Sequence, residues 1–342
     1  MNALVYHGPN TMRYEQVPTP EPKAHEVRLR IRAVGICGSD LHGYLGLTGR
    51  RTPPMVMGHE FTGEVEKLGE GVSGLRVGDR VSCYPVDFCG ACPKCLSNQQ
   101  HLCESRRQFG VLSENGAMAD YLCVPEKTCF VLADDVSFEV GTLMEPLAVS
   151  YRAVKQAGNL KDKNVLVAGA GTIGLLALAC VIAQGPASVT VTDLSGTRLN
   201  VAREMGATHV IDPANTDFAK QVEAITQGKG MDVAIEAVGA SATVGQTIDA
   251  LQVGGTAIWI GNNQPQVQVT MQKVVTRELR IYGSFLYSLV EFMTVMKLVN
   301  EHKLRVAPLI NRVEPLENGA AVFEELSRNV GNTIKCVLRQ ER

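Results

Sequence analysis

The chain has 342 residues, 45% of them hydrophobic and 20% charged, enough for two ordinary domains that each carry a core. A formal net charge of −2 argues against a broad basic surface for nucleic acid and against an acidic tail, which leaves small molecules as the expected partners. The longest apolar run, residues 173–183, is too short to span a bilayer, and the first residues lack the basic and apolar regions of a secretory signal. A cytoplasmic protein with no membrane partner is expected.

To about Ala133 the chain carries short runs of β-branched residues, among them Val27–Val34 and Phe61–Val65, separated by Gly and Pro turns. This texture predicts a barrel-like β domain. Two of its segments hold metal-ligating residue types: GICGSDLHGY contributes Cys37, and MGHEF contributes His59 and Glu60. A lone Cys or His is more often a core residue than a ligand. The wider pattern of Gly58, Gly63, Gly69 and Val72, followed by the turn Val77–Val81, shifts the balance toward a site.

Further along, Cys89, Cys92, Cys95 and Cys103 lie in CGACPKCLSNQQHLC. Such spacing can fold four thiolates into a closed tetrahedron around zinc, so a structural zinc lobe is expected over about residues 83–110. Disulfides are disfavoured where no secretory signal is seen. A nucleic-acid-binding zinc ribbon fits poorly, because the loop has few basic residues and no interleaved aromatics.

From about Lys163 short apolar strands (NVLVAG, SVTVTD, DVAIEAVG, TAIWIG) alternate with helical stretches such as Arg198–Met205, the pattern of a doubly wound parallel sheet. The first strand runs into GAGTIG. There Gly169 allows a tight turn, Gly171 lets the backbone approach a pyrophosphate, and Gly174 permits close helix packing, with Thr172 and Ile173 opening the helix. Asp193 ends the second strand, where a carboxylate accepts hydrogen bonds from the adenosine ribose. Its charge repels a 2′-phosphate, so NAD is expected over NADP. Arg198 either softens that preference or pairs locally, and the plain alternative for Asp193 is a helix cap. Val238, Ile260, Gly261, Ser284 and Phe285 are expected to complete the cofactor pocket. After Gly283, strands at Val306–Arg312 and Thr333–Leu338 flank a helix at about Leu316–Ser327, a tail expected to rejoin the first domain. The expected boundaries are 1–148 with 287–342 for the catalytic domain and 149–286 for the nucleotide-binding domain, with a cleft between them.

At the GHE segment, the cysteine lobe, MEPLAV, GAGTIG and TDLSGTRL the chain resembles the zinc-containing medium-chain alcohol dehydrogenase family, within it the sorbitol and polyol dehydrogenase branch, over essentially its whole length. The resemblance implies an α/β protein in which a GroES-like β-barrel catalytic domain joins a Rossmann domain. It also implies a catalytic zinc on Cys37 and His59, with a third group from the segment before the nucleotide-binding domain. Relatives of the Cys₂His type use a cysteine there. This chain offers Glu145, as the polyol dehydrogenases do, bound directly or through water. By the same resemblance Glu60 lies beside the metal as an exchangeable ligand, and Asp40 orients the His59 imidazole, its plain alternative being a turn residue. Ser39 and His42 relay the released proton, although His42 also reads as an ordinary surface histidine.

Tyr44, Leu286 and Tyr287 are expected to shape the substrate pocket. Leu286 stands where sorbitol dehydrogenase has an arginine, and Gly43 separates His42 from Tyr44 where that enzyme has the two side by side. The implied reaction is reversible oxidation of a secondary hydroxyl of a polyol, sugar acid or sugar-alcohol phosphate by a homodimer or homotetramer. The alternatives are a simpler secondary-alcohol, threonine or butanediol dehydrogenase and, from another class, a catalytically silent nucleotide-binding sensor.

Overall fold

A computed structural model describes residues 1–112 and 114–340. The chain forms two compact units, Met1–Glu145 with Ser288–Glu301 and Ile310–Arg342, and Pro146–Tyr287 with His302–Leu309.

The first unit is built on β-strands whose alternating apolar residues face one core. Strand Glu26–Gly35 buries Val27, Leu29, Ile31 and Ala33 on one side and turns Arg28, Arg30 and Arg32 outward, the period-two pattern of a half-buried strand. It is central to a sheet ordered Cys129–Val131, Arg80–Cys83, Glu60–Leu68, Glu26–Gly35, Lys335–Arg339, Ile310–Pro315, with Tyr121–Pro125 also pairing to it. A smaller sheet sets Asn2–Gly8 between Thr11–Gln16 and Met55–Val56. The helix Leu289–Asn300 folds with this unit because Phe292 packs its ring 5.9 Å from Tyr84 and 5.5 Å from Phe130. The C-terminal tail rejoins the same unit through Lys335–Arg339, antiparallel to Glu26–Gly35.

Two details of that tail differ from the expectation. The strand placed at Val306–Arg312 begins only at Ile310, because Pro308, which lacks an N–H, lies in a 3₁₀ turn over Ala307–Leu309. The expected helix divides into a 3₁₀ turn at Leu316–Asn318 and an α-helix at Gly319–Arg328. The short stretch His302–Leu309 clusters with the second unit, inside the range assigned to the catalytic domain.

The second unit is a six-stranded sheet, parallel throughout, in the order His209–Ile211, Ser188–Thr192, Asn164–Ala168, Met231–Glu236, Leu251–Trp259, Arg280–Gly283. In order of occurrence this is 3-2-1-4-5-6, the dinucleotide-binding arrangement, whose ligand crevice opens at the carboxyl ends of strands 1 and 4. Strands Asn164–Ala168 and Ser188–Thr192 are nearly continuous apolar or β-branched runs because helices cover both faces of such a sheet. Among the described residues, no helix is long and apolar enough to cross a membrane.

Candidate metal centres and cofactor site

Strand Glu26–Gly35 delivers the chain to Cys37, the N-cap residue of the short helix Gly38–Tyr44, while a turn before strand Glu60–Leu68 delivers His59 and Glu60. The ligand atoms of Cys37, His59 and Glu60 lie within 4.8 Å of one another. Asp40, in the first turn of that helix, is fully buried. Its Oδ2 accepts the Cys37 backbone N–H at 3.1 Å and its Oδ1 lies 3.4 Å from His59 Nδ1. One carboxylate therefore braces both ligand-bearing segments. With Nδ1 turned to Asp40, the other ring nitrogen is left for a metal.

Burial pushes the His59 ring toward neutrality, but the Asp40 carboxylate and the Cys37 sulfur outweigh it and raise its pKa well above the usual histidine value. Burial likewise pushes Asp40 up, and His59 and Arg51 hold it well below the ordinary carboxylate range. A cluster that draws positive charge to its centre, built from a thiol, an imidazole and a carboxylate, has the chemistry of a zinc site.

Glu145, buried in the first turn of helix Met144–Gln156, lies outside the tight three-residue group but close enough to raise the pKa of Lys335. Two residues that sequence reading missed complete the centre. Lys335 Nζ donates to Glu60 Oε2 and, at 3.1 Å, to the Ile36 carbonyl, and Arg51 Nη2 donates to Asp40 Oδ1 at 2.8 Å. No motif marks either residue. A lysine heading the apolar strand KCVLR reads as a polar strand end.

Ser39 is exposed and His42 half-buried, three residues apart on the helix Gly38–Tyr44 and thus neighbours on its surface. Tyr44 is only 4% exposed and packs its ring 5.7 Å from Phe323. Expected at the substrate pocket, it is buried here against the helix Gly319–Arg328.

The second metal centre is the cysteine lobe. Cys89 Sγ lies 3.8 Å from Cys95 Sγ and 3.6 Å from Cys103 Sγ, and Cys92 belongs to the same cluster. A tetrahedron with Zn–S bonds of about 2.3 Å has edges of about 3.8 Å, whereas a disulfide needs about 2.05 Å. The spacing is that of a zinc site. The backbone N–H groups of Ala91 and Cys92, with Cys103, draw the Cys89 thiol down to about 6, so a thiolate is available at neutral pH, while burial pushes Cys95 up to about 12. The lobe is tied down by Asp87, which meets Arg107 at 2.6 Å and Lys127 at 2.8 Å.

In the second unit the turn after Asn164–Ala168 has the geometry a dinucleotide needs. Gly169 has φ +101°, and a Cβ on Gly174 would overlap the Gly169 carbonyl oxygen. A Cβ on Gly171, the N-cap of helix Thr172–Ile182, would meet nothing within 4 Å. No packing demand explains that glycine, so the open space beside the helix N-terminus is where a pyrophosphate fits. Ile173 is anchored through its carbonyl, which accepts from Ser150 at 2.9 Å. Asp193 accepts the Ala170 and Ser195 N–H groups, each at 2.8 Å, and Arg198 N approaches Ser195 Oγ at 3.4 Å.

Glu236, missed in the sequence, shapes the opposite lip. It is fully buried and accepts from Val238 N, Gly239 N and Thr243 Oγ1, while its own carbonyl accepts from Ile260 N and Gly261 N. Ser284 Oγ is buried with no hydrogen-bond partner among the described residues, an orphaned polar atom that a bound cofactor amide or hydroxyl would satisfy. Phe285 is 44% exposed, Leu286 sits at φ +50°, and Tyr287 is buried. A leucine in the left-handed region is strained, a condition that gathers at functional sites.

Comparison with known proteins finds two matching family descriptions. Residues 23–134 match the alcohol dehydrogenase GroES-like domain, and residues 172–301 match the family described as zinc-binding dehydrogenase. Sorbitol dehydrogenase of Ovis aries is 36% identical over 347 residues, covering 98% of this chain and 96% of the relative. D-xylulose reductase A of Aspergillus niger is 34% identical over 337 residues, covering 96% and 94%. The crystal structure of galactitol-1-phosphate dehydrogenase from Escherichia coli superimposes with a TM-score of 0.92 at 30% identity, covering 99% of this chain and 100% of that one.

Proposed function

The chain belongs to the zinc-binding alcohol dehydrogenase family, and on that premise we propose that it oxidises a secondary hydroxyl of a polyol, sugar acid or sugar-alcohol phosphate to a ketone, reversibly, with NAD as hydride acceptor. The observation that carries this reading is the convergence of Cys37, His59 and Glu60 around the Asp40 brace. Bound at that centre, zinc would supply Lewis-acid stabilisation of the substrate alkoxide, and NAD bound in the second unit would supply the hydride acceptor.

The chain's own groups do the rest. Cys37 and His59 would hold the metal, with Glu145 as the third ligand, directly or through water. Lys335 restrains Glu60 as an exchangeable ligand. Ser39 accepts the hydroxyl proton and passes it toward His42 along one face of their helix. Asp193 keeps a negative charge where a 2′-phosphate would lie, which supports NAD over NADP. Tyr287 and Leu286 border the substrate, and the apolar Leu286 favours, as the second reading, a simpler secondary alcohol such as a butanediol.

The enzyme works in the cytoplasm as a homodimer or homotetramer joined through the nucleotide-binding unit. Support for the assembly comes from the edge strand Arg280–Gly283, which among the described residues pairs on one side and leaves Tyr282 48% exposed. NAD reduction over a panel of polyols, sugar acids, sugar-alcohol phosphates and simple diols tests the substrate class. Turnover confined to simple diols selects the second reading, and NAD binding without any alcohol oxidation sinks both. Light scattering that returns a monomer removes the assembly.

A further inference from the structure

The Asp40 carboxylate that braces the two ligand segments is itself gripped from the loop that follows the helix Gly38–Tyr44. Arg51 is 8% exposed, and its Nη2 donates to Asp40 Oδ1 at 2.8 Å, with the Ser39 carbonyl at 3.5 Å. Its Nε is buried and has no hydrogen-bond partner among the described residues. A guanidinium taken out of water with one N–H unmet is costly, so its retention here points to what it does for Asp40. Without it, Asp40 Oδ2 would keep the Cys37 N–H, but Oδ1 would face only the His59 imidazole and lose its one short hydrogen bond.

The arginine needs space that the helix provides at one residue. A Cβ on Gly43 would lie 2.8 Å from Arg51 Cγ and 3.1 Å from Nε, too close for the stem to stay where it is. The residue that separates His42 from Tyr44 thus leaves a slot in which the arginine lies.

We infer that Arg51, seated in the Gly43 slot, is a positioning residue that fixes Asp40 between the Cys37 backbone and the His59 imidazole, and so sets how firmly the catalytic site retains zinc. The inference rests on Cys37 and His59 being zinc ligands. A lysine preserves the charge but not the planar fork, so Arg51→Lys recovers only part of the effect.

The test is zinc affinity, measured by competition with a coloured chelator on the full-length protein, with the lobe zinc as internal reference. Wild type should carry two zincs per chain, and the one absent from Cys37→Ser belongs to the catalytic site. In Arg51→Met the affinity of that site should fall by about 10- to 100-fold, the usual effect of losing a group that orients a metal-bound histidine, while the lobe affinity stays unchanged. Gly43→Ala retains every polar group and should produce the same selective loss by displacing the arginine, which a merely structural role would not do. If Arg51→Met fails to fold, Gly43→Ala decides alone. Wild-type catalytic-site affinity in the folded variants overturns the inference. A wild type with no zinc sensitive to Cys37→Ser instead overturns the site assignment on which it stands.

Discussion

Lys335 and Glu60 form a buried ion pair between residues 275 positions apart, with side chains 2% and 1% exposed. Gly35 makes the pair possible, since a Cβ there would overlap Glu60 Oε2 and crowd the lysine stem. Burial alone would push the lysine toward neutrality, but Glu60 and Cys37 raise its pKa instead. Removing one partner of such a pair strands the other charge in low dielectric, typically at a cost of about 3–5 kcal/mol. Lys335→Met is therefore expected to lower unfolding free energy by that order in urea titrations. The double variant Lys335→Met/Glu60→Gln should recover a large part of it. A cost under about 1 kcal/mol for the single variant would show that the pair is not coupled as described.

The cysteine lobe should behave as a self-contained zinc site. Cys89→Ser removes the thiol that lies 3.6 and 3.8 Å from two of its neighbours, so metal analysis should return one zinc per chain instead of two. The catalytic cluster is built from separate segments and should keep its metal. Because structural zinc contributes directly to folding, the melting temperature should fall by several degrees. Two zincs retained by Cys89→Ser would contradict the assignment.

Local spacing made the lobe, the GAGTIG turn and the alternating strands readable from the sequence, because each is specified within a window of about 15 residues or fewer. The catalytic centre was readable only in part. Cys37 and His59 stand in recognisable segments, but Lys335 reaches Glu60 through the pairing of the last strand with Glu26–Gly35, a long-range contact that no local pattern encodes. The burial of Tyr44 was hidden for the same reason, since its partner Phe323 comes from the C-terminal helix. The late start of strand Ile310–Pro315, by contrast, was written in the sequence at Pro308.

Asp193 caps a turn, and on the proposed reading it also discriminates between cofactors, so one substitution should separate the two roles. Its oxygens cap the Ala170 and Ser195 N–H groups, so Asp193→Ala should cost about 1–2 kcal/mol of stability from lost backbone hydrogen bonds. On the proposed reading it also removes the negative charge that faces the ribose of NAD. The ratio of kcat/KM for NAD to that for NADP should fall by at least about tenfold, a difference of about 1.4 kcal/mol. An unchanged ratio would reduce Asp193 to a turn cap.

The tether at the base of the lobe gives a pH prediction with a definite sign. Burial pushes Asp87 up, but hydrogen bonds from Lys127 and Arg107 outweigh it and lower its pKa below the usual carboxylate value. A carboxylate whose folded pKa is depressed contributes stability that is fully present above its unfolded pKa, about 3.9, and is lost as pH falls through the folded value. Wild type should therefore exceed Asp87→Asn in urea midpoint at pH 6, and the gap should close as the pH falls below about 4. Zinc release in acid affects both proteins, so the difference between them isolates the aspartate. A gap that stays constant or widens on acidification would mean that Asp87 binds its two cations no more strongly in the folded chain than in the unfolded one.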